Sequence, residues 1–448
     1  MFVEKGKDYM KTLLERAKGS LLEISIDQNV PVSTMALLSP HSQRIRSLEF
    51  KRDYWEGIRK FSEASPGPFP LLRTLRVMWF HTCEDAWATP PSSPFFANAP
   101  NVEKFTYRST RFQFLRHFVL PNLTTFSLWT PEVARSGASN LFDFLKASPM
   151  LRTVRIRTPA GIMLEDIPQQ TVIILPNVET FSLTSDGKNV YDVALHISCP
   201  HAKVVSLRCQ VSDLDMLPSW EIFPTSARWN AIVHQYTKSP VEEVTLEIPS
   251  PFKTSSLAFQ SADTSTLSLF FEIVQIIDDT YESDIDLGEL VFEAFSQGFK
   301  TIQAHPLLPS VKRLRIECRD LGLHGFQILP PVTEIERVFE RVGLLDELII
   351  NSCNLRPYLA GFAKLDNSEK PIVFPPIKQL TISNPSMETD EEEYMGAITE
   401  LAKSQHARGI PFERVAVRAK RLPVAMAERL RQWVSAVDCY EDSPVEEG

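Results

Sequence analysis

The chain has 448 residues and is acidic overall, with 47 Lys and Arg against 56 Asp and Glu and a formal net charge of −9. That balance, without a Lys-rich run or a nucleic-acid motif, speaks against a nucleic-acid-binding domain. No run of about eighteen apolar residues is present, so no membrane span is expected, and the charged start M-F-V-E-K-G-K-D-Y-M-K lacks the apolar core of a signal peptide.

In chain order, residues 1–20 read as a helical lead-in. One unit, apolar-x-x-apolar-x-apolar, then recurs. It occurs as Leu21/Ile24/Ile26 and Ile45/Leu48/Phe50, and a short helix is predicted over 54–62. Leu72/Leu75/Val77, Val102/Phe105/Tyr107 and Leu123/Phe126/Leu128 follow, then a helix over 139–147 (S-N-L-F-D-F-L-K-A). Next come Leu151/Val154/Ile156, Val178/Phe181/Leu183, Ala202/Val205/Leu207 and Val241/Val244/Leu246. Helical candidates over 264–278 and 288–304 fill the next interval, so 250–308 reads as a helical insertion. The unit resumes at Val311/Leu314/Ile316. A helix over 333–342 follows a Pro-Pro break. Leu345/Leu348/Ile350 and Ile377/Leu380/Ile382 come next. A helix over 389–404 opens with Thr389 and Glu392 at capping-box spacing. The last copy is Phe412/Val415/Val417. Met426, Leu430, Trp433 and Val437 then form one apolar stripe, so 422–437 reads as a C-terminal capping helix over the end of the core.

These are thirteen copies at steps of 21 to 39 residues, with one step of 70 between Val241 and Val311. The last two apolar positions of each copy alternate with a polar one, the pattern of a short strand with one face buried. Seven copies carry a proline two residues ahead of the first apolar position, at Pro70, Pro100, Pro121, Pro149, Pro176, Pro200 and Pro309. Proline fixes φ and lacks an N–H, so it suits the lead into a strand. In Leu345–Leu348–Ile350–Cys353–Leu355 the spacing is that of a leucine-rich-repeat strand and its following turn. The expected fold is therefore α/β: an irregular leucine-rich-repeat solenoid over 21–448, a curved parallel sheet with helices and loops on its convex side.

Six scattered cysteines with no C-x-x-C argue for a reducing compartment, cytoplasmic or nuclear, rather than a disulfide scaffold. No nucleophile elbow, phosphate loop, dinucleotide fingerprint or zinc-ligand pair is present, so neither an enzyme nor a cofactor is expected. His196, Cys199 and His201 lie close in H-I-S-C-P-H, but their spacing matches no common metal site. The loop at 284–289 lacks the third acidic position that a calcium loop needs before its Gly. An enzyme with its site in the 250–308 insertion is the remaining alternative, without support from any motif.

The outward strand positions say more. They are the residue before the second apolar position, the residue between the second and third, and the residue after the third. From the third to the eighth copy they contain Arg76, Lys104, Arg108, Arg155, Arg157 and Arg208 and no acid, with Trp129 among them. Stacked strands lie about 5 Å apart, so these residues would form a basic stripe. The stripe suits an acidic or phosphorylated protein segment, since Arg gives bidentate contacts to such groups; it equally suits a solvated face that keeps the strands soluble. Thr74, Thr125, Ser127, Thr153, Thr180, Ser182 and Thr184 fill the neighbouring outward positions and distinguish neither case.

The segments Y-M-K-T-L-L-E-R-A-K-G-S-L-L-E-I-S-I, L-S-P-H-S-Q-R-I-R-S-L-E-F, L-P-N-L-T-T-F-S-L and S-P-M-L-R-T-V-R-I resemble the region after the F-box in F-box and leucine-rich-repeat proteins of mushroom-forming fungi. The resemblance covers most of the chain through its pattern rather than through a specific motif. It implies a non-catalytic substrate-recognition part of a cullin-type ubiquitin ligase, whose F-box docks on the ligase adaptor while the repeats hold the substrate. The sequence begins where the family's F-box would already have ended, so no adaptor-docking residue is carried over. Adaptor binding is expected only if an F-box is supplied upstream. The alternative is a free-standing repeat scaffold or regulator. On either reading, the concave-face contacts would come from Arg76, Lys104, Arg108, Trp129, Arg155, Arg157 and Arg208.

Overall fold

The computed structural model describes residues 7–211 apart from short gaps, of which 79–94 is the longest. It further describes scattered positions within 228–236, and then 241–248, 255–261, 266–273, 311–318, 345–352, 376–383, 391–418 and 424–440. The protein is α/β and divides into two compact units, Met1–Gln210 and Val211–Gly448.

In the first unit, helix α1 (Lys7–Arg16) leads into β1 (Leu22–Ile26). The strands β2 (Ile45–Lys51), β3 (Thr74–Met78), β4 (Lys104–Arg108), β5 (Thr125–Trp129) and β6 (Thr153–Thr158) follow, and then β8 (Thr180–Asp186) and β10 (Val204–Val211). These eight lie side by side in chain order and pair in parallel. The short β7 (Ile173–Ile174) and β9 (Ile197–Ser198) pair only with each other. Between strands lie α2 (Val32–Met35), α3 (Trp55–Ala64), α4 (Ala138–Lys146) and α5 (Asn189–Leu195), with 3₁₀ turns at Ala36–Arg44 and Phe112–His117. The Arg44 guanidinium donates to the carbonyls of Ala17, Lys18 and Ser20 and so closes the C-terminal end of α1.

Register stacks the apolar triplets into columns. Ile24, Leu48, Leu75, Phe105, Phe126, Val154, Phe181 and Val205 form one row of paired residues. Ile26, Phe50, Val77, Tyr107, Leu128, Ile156, Leu183 and Leu207 form a second, and all sixteen side chains are buried. Burial at about 1.5–3 kcal/mol per large side chain makes these two columns the main cohesive term of the unit. Aromatic rings from the connections fill the space behind them. Phe144 sits 4.9 Å from Phe126, Phe118 sits 4.8 Å from Phe105, and Phe61 sits 5.5 Å from Phe50. The first copy differs from expectation. Leu21 is exposed and Leu22 takes its buried place, with an irregular register between Leu22 and Glu23.

The prolines do more than precede strands. In six copies the residue before the proline accepts a backbone hydrogen bond from the first apolar residue, as in Leu123 N–H to Leu120 C=O at 3.2 Å. This places Pro70, Pro100, Pro121, Pro149, Pro176 and Pro200 second in a β-turn, where their fixed φ is already correct. Where asparagine follows, its amide reaches back one copy. Asn101 donates to the carbonyl of Pro70 at 2.8 Å, Asn122 to Pro100 at 2.9 Å and Asn177 to Pro149 at 2.9 Å. One such bond between neutral groups is worth about 0.5–1.5 kcal/mol. We expect Asn122→Ala to lower stability by about that amount, read as a lower denaturant midpoint at unchanged slope.

In the second unit the strand order is β13-β12-β11-β14-β15-β16-β17-β18. Strands β11 (Val241–Ile248), β14 (Arg313–Cys318), β15 (Leu345–Ser352), β16 (Ile377–Ser383), β17 (Arg414–Arg418) and β18 (Ala436–Tyr440) run parallel. Val311, Leu314, Leu345, Leu348, Ile350, Ile377, Leu380, Ile382, Phe412, Val415 and Val417 are buried. Strands β12 (Ser255–Ser261) and β13 (Thr266–Ile273) add an antiparallel hairpin on β11. They correct the helix expected over 264–278, because T-L-S-L-F-F-E-I alternates at the strand period. The helices expected over 288–304 and 333–342 lie outside the described residues. Helix α6 (Glu391–Ala407) matches its expected place. The last helix, α7 (Val424–Leu430), is shorter than the 422–437 stripe suggested. Val437 belongs instead to β18, where it pairs with Val415 as Cys439 pairs with Val417. Val434/Val437/Cys439 is thus a further copy of the same unit. Among the described residues no helix is long and apolar enough to cross a membrane.

Candidate functional site: the outward face of the parallel strands

Within the first unit, side chains that alternate with the two buried columns face away from the core. Register sorts them into rows. Lys104 pairs with Thr74 and Thr125. Arg76 pairs with Glu49 and Thr106, and Arg155 with Ser127 and Ser182. Arg108, Trp129 and Arg157 pair in succession, followed by Thr184 and Arg208. The expected residues therefore share one face, over strands β3 to β10.

Their surroundings differ. Arg76, Lys104, Arg155 and Arg157 are exposed, whereas Arg108, Trp129 and Arg208 are half-buried. The Arg108 guanidinium lies on the Trp129 ring, 2.9 Å from its centroid. Such a contact is worth about 0.5–2 kcal/mol and covers one side of the indole. Burial lowers the Arg108 pKa from its usual value, yet a guanidinium stays a cation at neutral pH. Arg108 and Trp129 thus form a packed pair that borders the freely exposed cations.

A second set of charges lies at the margin of the sheet, one residue after each first apolar position. There Arg73 pairs with Glu103, Arg152 with Glu179 at 3.4 Å, and Lys203 with the same Glu179 at 3.5 Å. In the second unit Lys378 and Asp346 meet at the same position, 2.6 Å apart, and this bond raises the pKa of Lys378. These alternating pairs are exposed and contribute little each. Their cations are already matched. Among the described residues, by contrast, Arg76, Lys104, Arg155 and Arg157 carry no ion pair.

A shallow depression of about 400 Å³ opens on β1 to β3, lined by Glu23, Ser25, Ser47, Glu49, Lys51 and Arg76 among others. Its walls carry both signs of charge, and Lys51 meets Glu49 at 3.7 Å. The outward positions of the first two strands contain acids and those of the next six contain none, a boundary visible in the residue types alone.

His196, Cys199 and His201 are not gathered into a cluster. His196 Nδ1 lies 2.6 Å from the Thr171 carbonyl, Cys199 is buried with its thiol pKa pushed up to about 12 by burial, and His201 is exposed. Among the described residues no group of three His, Cys, Asp or Glu could hold a metal. The loop at 284–289 lies outside them. Compared with known proteins, the chain matches no family model and no curated relative.

Proposed function

We propose that this protein is a leucine-rich-repeat solenoid acting as a non-catalytic protein-binding module, resembling the substrate-recognition part of a cullin-type ubiquitin ligase. The reading rests on one observation. Six cations, Arg76, Lys104, Arg108, Arg155, Arg157 and Arg208, stand on four of six successive parallel strands, and no acid occupies an outward position of any of the six. A strand ladder made of copies joined through proline turns supports the solenoid. The partner is a protein with an acidic or phosphorylated segment, met in the cytoplasm or nucleus; the buried free thiols of Cys199 and Cys209 accord with such a compartment.

The test is proximity labelling in cells, wild type against Arg155→Glu/Arg157→Glu. Loss of the main labelled proteins is expected from the variant, since reversing two central charges repels an acidic segment. An unchanged set would show that the face is not the docking surface. A pull-down of the ligase adaptor from cells separates the ligase reading from that of a free-standing scaffold, absence of binding favouring the scaffold.

A further inference from the structure

We infer that Arg155 and Arg157, flanked by the hydroxyls of Ser127 and Ser182, form a receptor for a phosphorylated side chain of the partner protein. This rests on the protein-binding reading above and narrows it to one chemical group.

Strand β6 presents Arg155 and Arg157 two residues apart on the same face, so their Cα atoms stand about 7 Å from each other. On both neighbouring strands the residue in register with Arg155 is a serine, Ser127 on β5 and Ser182 on β8. Short side chains on either side leave the longer guanidinium unscreened and place two half-exposed hydroxyls beside it. The pair in register with Arg157 is Trp129 and Thr184. Trp129, held by Arg108, forms one wall.

The residue just before this strand supplies a contrast. Arg152, at the sheet margin, meets Glu179. Arg155 and Arg157 meet no carboxylate among the described residues. The margin cations Arg73, Arg152 and Lys203 are thus matched within the fold, while these two are left for something outside it.

Charge and valence select the group. A phosphate monoester carries roughly −1.5 to −2 at pH 7 and three strong acceptor oxygens. It can take a bidentate contact from each of two guanidinia and still accept from serine hydroxyls. A single carboxylate carries one charge, so it neutralises one guanidinium and leaves the second uncompensated. Lys104 lies two strands away from β6, in register with Thr153 and two residues short of Arg155, so it stands about 12 Å from Arg155, which an extended peptide spans in about four residues. An acid about four residues from the phosphorylated position is therefore favoured on the Lys104 side.

The test uses the full-length chain and three pools of random 13-residue peptides, with phosphoserine, glutamate or serine at the centre. Fluorescence polarisation should give a preference of tenfold or more for the phosphoserine pool over the glutamate pool. Arg155→Ala/Arg157→Ala should abolish that preference, and Arg155→Lys/Arg157→Lys should lose most of it, because lysine cannot make the bidentate contact. Arg152→Ala should leave it unchanged, and circular dichroism verifies that each variant folds. Equal binding of the phosphoserine and glutamate pools would overturn the phosphate site yet leave the protein-binding reading standing. Binding of no pool, or undiminished preference in the double alanine variant, would also overturn the site. The labelling experiment above judges the broader reading independently.

Discussion

Phe126→Ala is expected to destabilise the first unit by about 3–5 kcal/mol. Phe126 is fully buried in β5, in register with Phe105 and Val154. Its ring lies 5.8 Å from Phe105 and 4.9 Å from Phe144. Truncation removes the ring from the middle of a stack that joins two strands to helix α4, and neighbours on a hydrogen-bonded sheet cannot close the gap. For a unit of about 200 residues the loss corresponds to a fall in Tm on the order of 10 °C. Phe126→Leu, which keeps most of the volume, should cost less than half as much. Circular dichroism melting checks both. A midpoint within a degree or two of wild type for the alanine variant would mean that this column is not the cohesive core.

Asn189→Ala is expected to cost about 2–4 kcal/mol for a different reason. Asn189 begins helix α5, and its side chain holds the preceding segment in place. Oδ1 accepts from the Ile162 N–H at 2.9 Å and Nδ2 donates to the Ile162 carbonyl at 2.6 Å. Oδ1 also lies 3.0 Å from the Ser185 hydroxyl, itself 3.1 Å from that of Thr158. Ile162, Ser185 and Thr158 are buried. Alanine would remove the side-chain partner of both backbone groups of Ile162 in a part-buried site, at about 1–3 kcal/mol each. Gly161 beside it has φ 91°, a conformation that favours glycine, and a Cβ there would lie 3.6 Å from Asn189. A double-mutant cycle with Ser185→Ala should give a coupling of about 0.5–1.5 kcal/mol; additive losses would break the proposed network into independent contacts.

Much of this architecture was legible in the residue order. Strand periodicity is strict, so each apolar pair facing the core announces itself. Ambiguity arose where two patterns fit the same residues. Leu21 and Leu22 are adjacent, and nothing local says which is buried. In 264–278, Leu267, Phe270 and Phe271 fit a helical stripe, while Leu267, Leu269, Phe271 and Ile273 fit a strand; a neighbouring strand to pair with decided the outcome. Trp433 extended the apparent stripe past Leu430, hiding the copy that starts at Val434. The basic residues of the outward face were predictable one by one. Which of them remain exposed was not, because the Arg108–Trp129 stack and the Arg152–Glu179 pair depend on register between segments about 20 to 30 residues apart.

The backward-reaching asparagines carry a consequence for how such a chain grows. The proline turns at Pro70, Pro100 and Pro149 each give a carbonyl to an asparagine of the next copy. A segment cut at such turns therefore brings its own connectors. Duplication or loss of whole segments at these turns would change the length of the outward face while leaving the connectors in place.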